Sequence, residues 1–111
     1  MKKAIKHNIN CDVKVSGIEY WKGEDFLIPK NSTYQLIIDY PFNKAGVFEL
    51  KTTEPIGMMG LIKFIGKCYI KQYKNAETDD DNGYWHGIED LVIEGININH
   101  KTKKIELFVG S

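Results

Sequence analysis

Hydrophobic and polar residues alternate along much of the chain, and the period of that alternation changes once near its middle. Over residues 33–40, Tyr34, Leu36, Ile38 and Tyr40 share one face, which is the period-two signature of a half-buried strand. Residues 47–51 repeat it, with Phe48 and Leu50 facing one way. The stretch 41–45 between them, Pro41-Phe42-Asn43-Lys44-Ala45, has hairpin length. Val13 and Val15 followed by Ile18 and Tyr20 predict a first strand over 12–20. Its inward parity flips near Ser16-Gly17, as a bulge or bend would require. Phe26-Leu27-Ile28 ahead of Pro29 gives at best a short edge strand.

From Met58 to Tyr73 the period becomes helical. Met58, Leu61, Ile62, Ile65, Cys68, Tyr69 and Tyr73 form an apolar stripe about 140° wide. Lys63, Lys67, Lys71 and Lys74 collect opposite it, and Pro55 suits the helix entrance. Gly60 and Gly66 each weaken this helix by about 1 kcal/mol relative to Ala. They also permit close approach to a sheet beneath. Residues 75–87 have no period and are rich in Asn, Asp and Gly, so they read as a loop.

Residues 88–98 resume as a strand. Leu91 and Ile93 have one parity, Ile96 and Ile98 the other, which places a bulge at Glu94-Gly95. Asn99-His100-Lys101-Thr102-Lys103 is a polar hairpin loop, and Ile105, Leu107 and Val109 mark the last strand. The predicted order is β-β-β-α-β-β. The expected fold is α+β: an antiparallel sheet of about five strands with one amphipathic helix packed on one face, in a single domain over 1–111.

Charge changes this picture more than composition does. The chain of 111 residues carries fifteen Lys and fifteen acids, with no Arg. The balance argues against bulk attraction to nucleic acid or anionic membranes. The absence of Arg removes the side chain best suited to bidentate phosphate and guanine contacts. The distribution, however, is polarised. Residues 56–75 hold four Lys and no acid, whereas residues 76–99 hold seven acids and no Lys. The acidic segment comprises Glu77, Asp79, Asp80, Asp81, Glu89, Asp90 and Glu94, with Tyr84, Trp85 and His86 interleaved. Such a block is either a solvated face or a surface presented to a partner. Its densest part, Glu77, Asp79, Asp80, Asp81, Tyr84, Trp85 and His86, is the candidate partner-binding set.

Other chemistry fits less well. Residues 78–89 match an EF-hand loop at Asp80, Asn82, Gly83 and Glu89, but Thr78 stands where the loop requires Asp. His86, Glu89 and Asp90 would converge on a metal only from a helix, and on a strand they diverge. No metal site is therefore expected. Cys68 lies on the apolar stripe and reads as packed core; Cys11 and Cys68 both read as reduced thiols of a cytoplasmic protein. His7, His86 and His100 are scattered without a nucleophile, so no catalytic set is expected and the chain does not read as an enzyme. No apolar stretch is long enough to span a membrane, and the polar residues Lys6, His7, Asn8 and Asn10 interrupt any signal-peptide core. No cofactor or small-molecule substrate is implied.

The C-terminal third, His86-Gly87-Ile88-Glu89-Asp90-Leu91-Val92-Ile93-Glu94-Gly95 through Ile105-Glu106-Leu107-Phe108-Val109-Gly110-Ser111, resembles small cytoplasmic immunity proteins encoded beside bacterial toxins, such as those of contact-dependent growth inhibition systems. The resemblance covers about a third of the chain and carries over no site residue. It implies a protein that binds one cognate toxin domain, often a nuclease, and blocks it. An acidic, aromatic-bearing surface suits that role, because a toxin that cleaves nucleic acid presents cations to phosphates. Two other classes fit the sequence. One is a nucleic-acid-binding or regulatory module using the Lys stripe; the other is a self-associating accessory protein.

Overall fold

The computed structural model describes residues 6–15, 26–78 and 86–110. Among these residues, five strands form one sheet: β1 (Lys6–Lys14), β3 (Thr33–Ile38), β4 (Gly46–Lys51), β6 (Val92–Asn99) and β7 (Lys104–Gly110), in the order β1-β6-β7-β3-β4. Two short strands, β2 (Phe26–Ile28) and β5 (Ile56–Gly57), pair as a separate antiparallel ribbon. The helix α1 (Met58–Thr78) follows β5 directly.

The α+β class and the count of five sheet strands match the expectation from sequence. The expectation of a wholly antiparallel sheet does not hold. β7 pairs with β3 in parallel, with Leu36 opposite Ile105. The reason is topological. The β6–β7 hairpin enters between β1 and the β3–β4 hairpin, so β7 meets β3 after a long crossover through α1, and such a crossover permits a parallel pair. Residue alternation sets which face a side chain takes; it does not set which strand is the neighbour or in which direction it runs.

The first strand begins earlier than predicted, at Lys6 rather than at residue 12, and spans Lys6–Lys14. It is an edge strand. Val13 is buried and Ile9 and Cys11 pack on the core, whereas Asn8, Asn10, Asp12 and Lys14 are exposed. These four polar residues occupy the solvent side, where they do not interrupt the strand. The predicted break at Ser16-Gly17 falls outside the described residues. Residues 88–90 form a single 3-10 turn rather than strand: the amides of Asp90 and Leu91 donate to the carbonyls of Gly87 and Ile88, at 3.1 and 3.2 Å.

The predicted bulge is present. Ile93 pairs with Val109 and Gly95 with Phe108, leaving Glu94 as the extra residue. Ile93, Ile96 and Ile98 are consequently all buried, with Ile98 opposite the buried Ile105. The Asn99 side-chain oxygen accepts from the amides of Lys101 and Thr102, and Lys103 takes a left-handed φ of 60°, which closes the polar hairpin.

The helix covers the core face of the sheet through Leu61, Ile65, Tyr69 and Tyr73. It runs one turn further than its periodicity predicts, because Ala76 is buried and continues the apolar stripe. Two small residues set its approach. A Cβ on Gly66 would lie 3.3 Å from the Val15 carbonyl oxygen, and one on Gly46 would lie 2.3 Å from Oε1 of Gln72. Gln72 is buried and donates to the Lys44 carbonyl at 3.1 Å, so the helix is fastened at the point where β4 begins.

Candidate partner interface

The acidic segment leaves from the C-terminal end of α1, and an aromatic cluster holds the chain where it returns. Phe42 packs edge-on against Tyr73, with ring centroids 4.7 Å apart, and at 6.1 Å from Tyr69. The Tyr69 hydroxyl donates to the Tyr40 carbonyl at 2.9 Å, and the Tyr73 hydroxyl donates to the His86 carbonyl at 2.7 Å. The His86 ring faces Tyr40 at 5.9 Å. Burial, with Tyr73 and Asp39 nearby, raises the Tyr69 hydroxyl well above the ordinary tyrosine range, so it stays protonated and able to donate. The cluster therefore fixes the backbone at residue 86, directly after the acidic stretch.

Of the candidate partner-binding residues, His86 is half-buried against Tyr40, and Glu77 lies in the last turn of α1. Asp79, Asp80, Asp81, Tyr84 and Trp85 lie outside the described residues. The rest of the acidic block continues onto described structure. Glu89 and Asp90 are exposed on the 3-10 turn, and Glu94 is exposed at the bulge.

The face of the sheet opposite α1 carries Phe108, 58% exposed. Its ring lies over Gly95, where a Cβ would sit 3.2 Å from Cδ2. The Glu94 carboxylate lies over Gly110, where a Cβ would sit 2.6 Å from Oε1. Glu106, exposed, precedes Phe108 by two residues on the same face. An exposed aromatic ring thus stands between two carboxylates on a sheet face that no element covers among the described residues. The sequence contains the signal: Phe108 is off the parity of Ile105, Leu107 and Val109, and a large ring on the outward parity has no core to fill.

Other candidate chemistry is placed as follows. Among the described residues, no three His, Cys, Asp or Glu side chains are grouped to hold a metal ion, and no helix is long and apolar enough to cross a membrane. Cys68 is buried in the stripe, and burial pushes its thiol up to about 11 despite Lys71 nearby. Cys11 is half-buried; its Sγ donates to the Ile93 carbonyl at 3.3 Å, and burial raises its pKa, with Asp12 adding to the effect. His100 shares a 2.6 Å hydrogen bond with the buried Tyr34 hydroxyl at the far end of the sheet. Lys63, Lys67, Lys71 and Lys74 are all exposed on α1. No family model matches this chain, and comparison with curated proteins and with solved structures finds no similar protein.

Proposed function

We propose that this protein is an inhibitor of the immunity type, which binds a cognate toxin domain, such as a nuclease, and neutralises it through an acidic surface bearing aromatic anchors. The residues assigned to it are the acidic segment, Glu77, Asp79, Asp80, Asp81, Tyr84, Trp85 and His86, and, on the described structure, Glu94 and Glu106 around Phe108. The observation that carries the reading is Phe108. A phenyl ring more than half exposed between carboxylates combines the two elements of a tight, fast interface on one face. An aromatic side chain desolvated in a pocket supplies binding energy, and surrounding charge steers encounter. A domain that handles nucleic acid must be cationic where it meets phosphates, and an acidic inhibitor can occupy that site.

The test is growth of cells expressing the toxin domain from the neighbouring reading frame, with and without this chain. The reading expects growth arrest that this chain relieves, and weaker relief from Phe108→Ser. Phe108→Ser should cost about 2 kcal/mol or more in affinity if the ring is an anchor, with little change in melting temperature. A neighbouring product that is not toxic, or that this chain does not relieve, counts against the reading.

A second reading rests on the four exposed Lys of α1, which a nucleic-acid-binding module would use. It requires binding to RNA or DNA that weakens steeply with salt. Replacing Lys63, Lys67, Lys71 and Lys74 by Gln should flatten that dependence.

A further inference from the structure

Among the described residues the sheet ends at β4, and beside that edge lies a groove of opposite electrostatic character to the Phe108 face. Phe64, Lys67, Cys68 and Lys71 fall on one flank of α1, as their spacing of three and four residues dictates. With Phe48 and Glu49 of β4 they line an open groove of about 400 Å³. Its floor is apolar, formed by the half-buried Phe48 and Phe64 and the buried Cys68, and its helix rim is cationic, with Lys67 and Lys71 exposed. Glu49 is the one acid among these lining residues.

The two sheet edges differ in how they present their backbone. β1 is irregular, its register with β6 shifting between Asn10 and Val13, and such irregularity blunts an edge. β4 pairs with β3 without a break from Lys51 opposite Thr33 to Gly46 opposite Ile38. Along its free side every second residue directs its N–H and C=O away from β3. Among the described residues, no strand lies beyond it.

We propose that the β4 edge and this groove form a second binding site, which takes an extended, acidic and apolar segment of a partner protein as an added strand. The segment pairs its backbone with β4. Its alternate side chains then divide by chemistry: apolar ones enter the groove over Phe48 and Phe64, and carboxylates meet Lys67 and Lys71. The acidic preference follows from charge, since residues 56–75 carry four Lys and no acid. A small molecule fits less well, because such ligands bury most of their surface in a pocket and this groove is open. Pairing with a second copy through β4 is disfavoured too, because it would bring the Lys-bearing flanks of two α1 helices together. This site does not rest on the inhibitor reading.

The test is an amide NMR titration of the full chain with a capped eight-residue peptide alternating leucine and glutamate, with controls of a leucine–lysine peptide and decanoate. The expected result is chemical-shift change concentrated in residues 46–51 and at Phe64, Lys67, Cys68 and Lys71. The double variant Lys67→Glu, Lys71→Glu changes only exposed positions, so its circular dichroism and melting should match the parent. It should bind the glutamate peptide about tenfold more weakly and should gain binding to the lysine peptide. The proposal is overturned if the glutamate peptide causes no shifts at about 2 mM, or if both peptides bind alike. It is equally overturned if the shifts fall on β1 or around Phe108, if decanoate alone binds, or if residues 46–51 shift with the concentration of the chain by itself.

Discussion

Replacing Tyr73 by Phe deletes one oxygen atom and tests how the chain is held at His86. That hydroxyl donates to the His86 carbonyl at 2.7 Å, whereas the ring remains free to pack on Phe42. A net hydrogen bond of this kind contributes about 1 kcal/mol, and leaving its acceptor without the donor sets the upper end near 2. For 111 residues, an unfolding entropy of about 2.1 cal/mol/K per residue makes 1 kcal/mol worth roughly 4 °C. Tyr73→Phe should therefore lower the melting temperature by about 4–8 °C. Hydrogen exchange should localise the effect, with the amides of Asp90 and Leu91 exchanging faster and those of β3 unchanged relative to global stability. A melting temperature within 1 °C of the parent, with unaltered exchange at 90 and 91, would refute the claim that this bond fastens the chain at His86.

Four further outcomes follow from the same structure. Because burial pushes the Cys68 thiol up to about 11, a thiol reagent at pH 8 should not label it rapidly until denaturant is added. A thiol raised above its ordinary value of 9.0 favours the folded state fully below pH 9, and that contribution is lost as pH rises from 9 through about 11; urea midpoints across that range should fall in the parent and fall less in Cys68→Ala. Gly46→Val should destabilise by about 1–3 kcal/mol, read from a urea melt, because its Cβ would collide with the Gln72 amide that holds β4 to the helix. Ile98→Ala, at a fully buried position beside the bulge, should cost about 2–5 kcal/mol in the same assay.

The legible parts of this fold are those where one face of an element is buried and the other is not. Ile96 and Ile98 betray the bulge at Glu94-Gly95 because a shift of one residue inverts every side chain beyond it. Met58 through Tyr73 betrays the helix for the same reason at a different period. Where burial comes from a distant partner, the local pattern is silent. β5 is two residues long and gives no period to read; its mate β2, foreseen as the short strand Phe26-Leu27-Ile28, lies well upstream and does not reveal its partner. Gln72 is polar yet buried, because the carbonyl it meets is on Lys44, far away in sequence. Phe42, in a connection, and Tyr73, on the helix, join to hold His86 only once the fold has brought them together. Phe108 was readable from its parity, but what makes it a candidate anchor, the absence of any element over that face among the described residues, is a property of the tertiary structure.

The most direct measurement of the central claim is the association rate between this chain and the product of the neighbouring reading frame, which the proposal takes to be its toxin, followed by stopped-flow fluorescence over a range of salt concentrations. Compare the parent with the triple variant Asp79→Asn, Asp80→Asn, Asp81→Asn, and with Trp85→Ala. Charge acts on encounter and buried aromatic surface acts on dissociation. The parent should associate faster as salt falls, and the triple variant should lose most of that acceleration while melting at the same temperature. Trp85→Ala should keep the association rate and dissociate faster, by about 2 kcal/mol or more in affinity. An unchanged association rate in the triple variant, together with a Trp85→Ala protein that melts earlier yet binds as tightly, would contradict the account.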